Sequence, residues 1–116
     1  MTVIISHNTR IFCTIDSYGH KTWKNKEGKI HRDNDLPAII LADGNQHWYK
    51  EGKCHRDNDQ PAVIHPDGTQ LWYKEGKCHR DHDLPVIIYA DGSKEWRKNN
   101  KKYLPSRKTS TKKSKY

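Results

Sequence analysis

Short apolar runs alternate with polar turns along this chain. Residues 70–74 form an aromatic run that ends at Glu-Gly, and residues 86–89 form a β-branched run that ends at Asp-Gly. Such runs, separated by glycine-containing pairs, are typical of strands joined by tight hairpins. No segment shows the apolar period of a helix. The pattern therefore predicts an all-β chain with a hairpin at every glycine.

The runs belong to a repeat of 24 residues. Residues 48–70 read WYKEGKCHRDNDQPAVIHPDGTQ and return as residues 72–94, while a poorer copy covers residues 23–46 and a truncated one starts at Trp96. One extra residue before Gly28 predicts a longer hairpin tip or a bulge in the first copy. Units of this size must stack to bury apolar surface. We therefore expect a repeat array of antiparallel β-hairpins, with two strands per repeat, in a single-layer twisted meander sheet.

Side-chain alternation assigns the two faces of this sheet. The position before the tryptophan varies among copies, as Leu71 and Glu95 illustrate, and this variation predicts a solvent-facing side chain. The tryptophan itself recurs in every copy, which predicts a buried column that packs against aligned isoleucines. The predicted core consists of Trp23, Trp48, Trp72, Trp96, Ile40, Ile64 and Ile88.

The second strand of each repeat is expected to be long and bent at an Asp-x-Asp-x-Pro segment. Proline cannot donate to a strand ladder, and short acids favour turns. Each arginine beside this bend is expected to pair with a nearby Asp, and each histidine to bond the backbone of the bend. The recurring turn and bend residues are Gly28, Gly52, Gly76, His31, His55, His79, Arg32, Arg56, Arg80, Pro37, Pro61 and Pro85.

Charge divides the chain into an array and a tail. The net charge is +8, yet residues 97–116 hold nine Lys or Arg and no acid, while the other 96 residues hold 13 basic and 14 acidic side chains. We predict a degenerate half-repeat cap at 1–22, repeats at 23–103 and a basic tail at 104–116, disordered or ordered by a partner. The predicted partner-binding residues of the tail are Arg107, Lys108, Lys112, Lys113 and Lys115.

The cysteines and histidines do not have the spacing of metal or redox sites. Cys54 and Cys78 occupy equivalent positions two strands apart, about 9.5 Å, which exceeds the roughly 7 Å limit for a disulfide. The column of His31, His55 and His79 has the same spacing, so its imidazoles cannot share a zinc ion. No nucleophile motif or phosphate loop is present either. The sequence therefore predicts no catalytic residue, no metal and no cofactor.

The run WYKEGKCHR and the unit YADGSKEW resemble MORN-type repeats, which form successive β-hairpins. They are more similar to variant MORN-like repeats, written W-Y-x-x-G-K-x-H-R-x4-P-A-x-I, that occur in proteins of large DNA viruses of amoebae. This resemblance covers residues 18–96, and Arg32, Arg56 and Arg80 stand where ordinary MORN repeats have glycine. It implies a β-hairpin scaffold used for binding or assembly, without a known enzyme activity.

Two functions follow as expectations. The first is a non-enzymatic structural or assembly protein that docks on capsid or scaffold proteins, as a minor capsid or cement component of a large DNA virus particle. The second is a nucleic-acid-associated or anionic-surface binder that acts through the tail. A membrane partner is not expected, because no apolar run is long enough to span a bilayer and residues 1–6 lack signal-peptide features. The predicted location is intracellular, in the host cytoplasm if the protein is viral, and in the virion.

Overall fold

The computed structural model describes residues 2–6 and 11–105, with side-chain surroundings for residues 11–105. Within these residues the chain consists of β-strands and turns. The predicted all-β array of antiparallel hairpins is therefore confirmed. The described residues include no helix long and apolar enough to cross a bilayer.

Most of the strands are only two residues long. In chain order they are β1 (Thr2–Ser6), β2 (Ile11–Ile15), β3 (Lys21–Lys24), β4 (Ile39–Ile40), β5 (Gln46–His47), β6 (Tyr49–Lys50), β7 (Lys53–Cys54), β8 (Val63–Ile64), β9 (Gln70–Leu71), β10 (Tyr73–Lys74), β11 (Lys77–Cys78), β12 (Ile87–Ile88), β13 (Lys94–Glu95), β14 (Arg97–Lys98) and β15 (Lys101–Lys102).

Nine strands form one antiparallel sheet in the order β1-β2-β3-β4-β5-β8-β9-β12-β13. Each repeat contributes two strands to this sheet, as predicted. Each repeat also forms a hairpin outside the sheet, and the pairs β6-β7, β10-β11 and β14-β15 are separate two-stranded ladders. Lys24 and Ile30 make the equivalent bridge in the first copy. We call residues 24–30, 49–54, 73–78 and 97–102 the second hairpins.

The second hairpins arise because the backbone changes pairing partner at the tryptophan. The Trp72 amide donates to the Val86 carbonyl at 2.7 Å, while the next residue, Tyr73, pairs with Cys78. The run predicted over residues 70–74 is thus divided into β9 and β10. The long bent strand predicted after each Glu-Gly is divided as well, since β11 belongs to a second hairpin and β12 to the large sheet.

Every glycine lies at a hairpin turn with φ between +83° and +98°, which confirms the predicted hairpins. Glu75 and Gly76 have φ of 52° and 83°, the two successive positive values that a type I′ turn requires. In the fourth second hairpin, Asn99 and Asn100 adopt φ of 53° and 75° instead, because asparagine tolerates this region. The extra residue of the first copy lengthens its tip, where the Asn25 side chain accepts the Lys29 amide at 3.0 Å.

The tryptophan column lies in the core. Trp23, Trp48 and Trp72 are 5%, 6% and 6% exposed. Among the other predicted core residues, Trp96 and the isoleucines Ile40, Ile64 and Ile88 are half-buried. The deepest side chains, Ala38, Ala62 and Val86, are 0% exposed and precede the strands of the large sheet. Val86 is enclosed because its backbone bonds to Trp72 on one side and Glu95 on the other.

Candidate functional site

A contact between an Asp, an Arg and a Trp joins the repeats that begin at Trp48 and Trp72 to the repeat before each of them. The Arg80 guanidinium carbon lies 3.9 Å from the centroid of the Trp72 ring. Its Nε and Nη2 donate to the two carboxylate oxygens of Asp59, at 2.8 and 3.2 Å. Its Nη1 donates to the Pro85 carbonyl at 3.0 Å, and the Trp72 indole N–H donates to the Asp59 carbonyl at 3.0 Å. We call this arrangement the staple.

The staple recurs one repeat earlier with nearly the same geometry. Arg56 lies 3.8 Å above the Trp48 ring and donates to both carboxylate oxygens of Asp35, at 2.9 and 3.2 Å. The Trp48 indole donates to the Asp35 carbonyl at 3.0 Å. Arg56 and Arg80 therefore pair with an Asp as expected, but across the repeat boundary, with a residue 21 positions earlier, whereas Arg32 has no Asp partner within residues 11–105.

The bend explains why one Asp serves both partners. Asn58 and Asp59 have φ of 61° and 55°, so two successive left-handed residues reverse the chain at this point. The bend thus presents the carbonyl and the carboxylate of Asp59 to the following repeat. The hydrogen bonds from Arg80 hold the pKa of Asp59 below its usual value. The Asp59 carboxyl is therefore ionised at neutral pH.

The two ends of the array differ from its middle. Trp23 Nε1 and Arg32 Nε are buried and have no hydrogen-bond partner among residues 11–105. In later repeats these two atoms bond the Asp of the preceding repeat. Burial lowers the pKa of Arg32. At the other end, Trp96 donates to the Asp83 carbonyl at 3.0 Å, and the Tyr103 hydroxyl donates to the Asp83 carboxylate at 3.1 Å.

The recurring histidines bridge to the next second hairpin. His55 Nδ1 accepts the Glu75 amide at 3.0 Å, and its Nε2 lies 2.7 Å from the Asp57 carboxylate. An Nδ1 that accepts an amide proton leaves the ring proton of the neutral imidazole on Nε2. His55 thus donates to a side-chain carboxylate of its own bend and accepts from the backbone of the next repeat, so the expected bond to the backbone of the bend was wrong. His31 makes the same pair of contacts with Asp33 and with the Glu51 amide.

His79, the third member of this column, has only half of these contacts. Its Nε2 lies 2.9 Å from the Asp81 carboxylate, while its buried Nδ1 has no partner in the described part of the chain. Residues 2–6 and 11–105 contain no group of three or more His, Cys, Asp or Glu side chains that could hold a metal ion.

All three cysteines are free thiols, with Cys13 and Cys78 buried and Cys54 half-buried. Burial raises the pKa of Cys54 to about 12. The thiol is therefore protonated near neutral pH, and a protonated thiol is a poor nucleophile and a poor metal ligand.

The Asp81 carboxyl provides a pH prediction. The Lys74 ammonium donates to it at 2.8 Å and His79 lies on its other oxygen, and these contacts lower the pKa of Asp81 to about 2. Because the pKa of Asp81 is lowered in the folded chain, its contacts with Lys74 and His79 stabilise folding above about pH 4. This stabilisation is lost as the pH falls toward 2. An NMR titration should show Asp81 titrating near 2, and the K74M variant should raise this pKa by more than it raises the pKa of Asp57, which Lys74 affects only at a distance. A wild-type pKa near 3.8 would contradict the contact.

A groove lies between the large sheet and the second hairpins. Its floor contains the directly paired residues His47, Val63 and Leu71, and its wall contains Tyr49 and Tyr73. It encloses about 530 Å³. Leu71 is half-buried against the core cluster around Trp72, although its variation among copies predicts a solvent-facing position.

Three groups in the lining of this groove, His47, Tyr49 and Tyr73, are held in their neutral forms near pH 7. Burial lowers the pKa of His47, and the neighbouring His65 adds to the effect. Burial raises the pKa of Tyr49 and of Tyr73, so both phenols keep their protons. The groove thus offers half-buried apolar and neutral polar groups to a ligand, with the exposed Lys53 ammonium beside them.

The predicted tail residues lie outside the described residues: Arg107, Lys108, Lys112, Lys113 and Lys115. Comparison with protein-family models, curated proteins and solved structures finds no match to this chain.

Proposed function

We propose that this chain is a non-enzymatic assembly protein whose hairpin array docks on another protein. The observation that supports this proposal is how the recurring polar residues are used. Three nitrogens of Arg80 and both nitrogens of His55 are hydrogen-bonded within the array. Because these nitrogens already have partners within the array, the recurring residues stabilise the scaffold. We therefore assign binding of the partner protein to side chains that vary between repeats.

The groove is the surface best suited to that role. Tyr49, Leu71 and Tyr73 are half-buried there, beside the polar His47 and Lys53. Tyrosine is enriched at protein interfaces because its ring supplies apolar area while its hydroxyl can bond a polar group. A partner protein with apolar side chains at its contact surface fits this lining.

The resemblance to MORN-like repeats of large DNA viruses supports a virus particle as the assembly. In that setting the chain would serve as a minor capsid or cement protein, holding neighbouring proteins together. A second function, binding of nucleic acid or another anionic surface through the tail, is favoured by the five Lys or Arg and no acid over residues 104–116.

Adjacent residues of β9 allow a matched test of the docking surface. Leu71 lines the groove, and Gln70 points to the opposite face because side chains alternate along a strand. A photo-crosslinking amino acid placed at position 71 should capture another protein in the native assembly, whereas the same group at position 70 should not. The melting temperature of both variants must match that of the natural chain. Capture from position 70 alone, or from neither position, would contradict docking through the groove.

A further inference from the structure

The charges of the array are separated in space, although its net charge is small. Residues 11–105 contain 16 Lys or Arg and 14 Asp or Glu. The second hairpins hold eleven of the cations and three of the acids, and the rest of the array holds five cations and eleven acids. The second hairpins thus carry a formal charge of +8 and the remainder −6. We call the row of second hairpins the cationic edge.

Backbone hydrogen bonds fix the stacking of this edge. The Gly52 amide donates to the Ile30 carbonyl at 2.8 Å, and the Gly76 amide donates to the Cys54 carbonyl at 2.9 Å. A Cβ added at Gly76 would lie 3.8 Å from the Lys53 Cβ, so the glycine leaves the stem of this lysine uncovered.

One lysine follows each turn, and equivalent turns are about 9.5 Å apart, two strand spacings. The resulting row of exposed cations spans roughly 29 Å by the same spacing. Its members are Lys29, Lys53, Lys77 and Lys101.

Most lysines of the edge are available to a ligand. Lys50 and Lys74 are directed to Asp57 and Asp81, at 3.2 and 2.8 Å, and Lys53 lies 4.0 Å from a Glu75 oxygen. The fourth second hairpin holds four cations and no acid. The following lysines have no ion-pair partner among residues 11–105: Lys24, Lys26, Lys29, Lys77, Lys98 and Lys101.

We propose that the cationic edge binds the phosphate backbone of duplex nucleic acid independently of base sequence. B-DNA carries one charge per about 1.7 Å of its axis, so each lysine of the row can meet a phosphate without a matched spacing. The tips at residues 25–29, 50–53, 74–77 and 98–101 contain no aromatic or aliphatic residue. They therefore lack the side chains that stack on single-stranded bases or insert into a bilayer. This surface adjoins the groove of the proposed protein contact, and the two share Lys53.

The proposal is tested by the salt dependence of duplex binding. Fluorescence anisotropy of the full chain with a labelled 25-base-pair duplex gives the slope of log affinity against log salt. The quadruple variant K29Q/K53Q/K77Q/K101Q should reduce this slope by about 3.6, from roughly 0.9 per phosphate contact. Between 50 and 200 mM salt, these four contacts correspond to an affinity change of roughly 150-fold. The matched K29R/K53R/K77R/K101R variant should keep the slope of the natural chain.

Two controls separate the edge from other basic surfaces. The variant K108Q/K112Q/K113Q/K115Q removes the same charge from the tail, and vesicles containing phosphatidylserine replace the duplex in a parallel titration. An unchanged slope in the edge Gln variant would overturn the proposal, whatever the tail variant does. Binding to the vesicles without binding to the duplex would also overturn it. Crosslinking through position 71 tests protein docking in the groove independently of duplex binding, so failure of either proposal can be told from failure of the other.

Discussion

Replacing Trp72 with alanine should destabilise the array by about 4 kcal/mol, within the roughly 3 to 5 kcal/mol of large aromatic truncations in cores. The ring is 6% exposed and packs with Cys78, Val86 and Ile87. Its loss would also remove the surface on which Arg80 stacks and the donor to the Asp59 carbonyl. Urea denaturation of the variant measures the loss.

The loss of stability should extend into both neighbouring repeats, because each repeat of such an array is stabilised by its contacts with the repeat on either side. Amide exchange should accelerate in β8 and in β13 as well as in β9. Leu71→Ala and Trp96→Ala serve as controls, since both side chains are half-buried and each should cost less. A midpoint for Trp72→Ala no lower than that for Leu71→Ala would show that the tryptophan column is not the main core.

Replacing Arg80 with alanine should cost about 2 to 3 kcal/mol, the range for losing hydrogen bonds to charged groups together with packed surface. The side chain is 13% exposed and bonds Asp59 and the Pro85 carbonyl while covering Trp72. Arg80→Lys should recover less than half of the loss, because an ammonium can neither form the two-pronged contact nor stack on the indole. Urea denaturation measures both variants.

Arg97→Ala provides the matched control for this prediction. Arg97 pairs with Glu95, two residues earlier in the sequence, and unlike Arg32, Arg56 and Arg80 it does not stack on a tryptophan ring within residues 11–105. The Arg97 side chain is 36% exposed, and without it Glu95 still has Lys102 at 4.0 Å and the Tyr89 hydroxyl at 3.1 Å, so its removal should cost less than Arg80→Ala. If Arg80→Lys were as stable as the natural chain, charge alone would explain the role of this residue.

The 24-residue repeat period was enough to predict much of the fold. Glycines spaced 24 residues apart predicted the hairpin turns, and the recurring tryptophans predicted a column that is buried at Trp23, Trp48 and Trp72. The division into a large sheet and second hairpins could not be read in the same way. Strands of two residues are too short to show an alternation, and Trp72 changes partner through its backbone rather than its side chain.

The staple and the groove could not be predicted from the sequence, for a different reason. Arg80 and Asp59 are 21 residues apart, and they meet only because two left-handed residues turn Asp59 toward the next repeat. The equal recurrence of Arg and Asp indicated a pair, without indicating which Asp. Variation at position 71 indicated solvent, whereas Leu71 is half-buried because it packs against the core cluster around Trp72.

The central structural claim is that the staple couples neighbouring repeats, and a double-mutant cycle tests it most directly. The free energies of unfolding of Asp59→Ala, Arg80→Ala and the double variant are compared with that of the natural chain in urea at pH 7. Asp59 is 52% exposed, so solvent screens the ion pair, and we predict a coupling of about 1 kcal/mol. The coupling should vanish as the pH falls through the lowered pKa of Asp59. Single-variant losses that add within about 0.3 kcal/mol at pH 7 would contradict the claim.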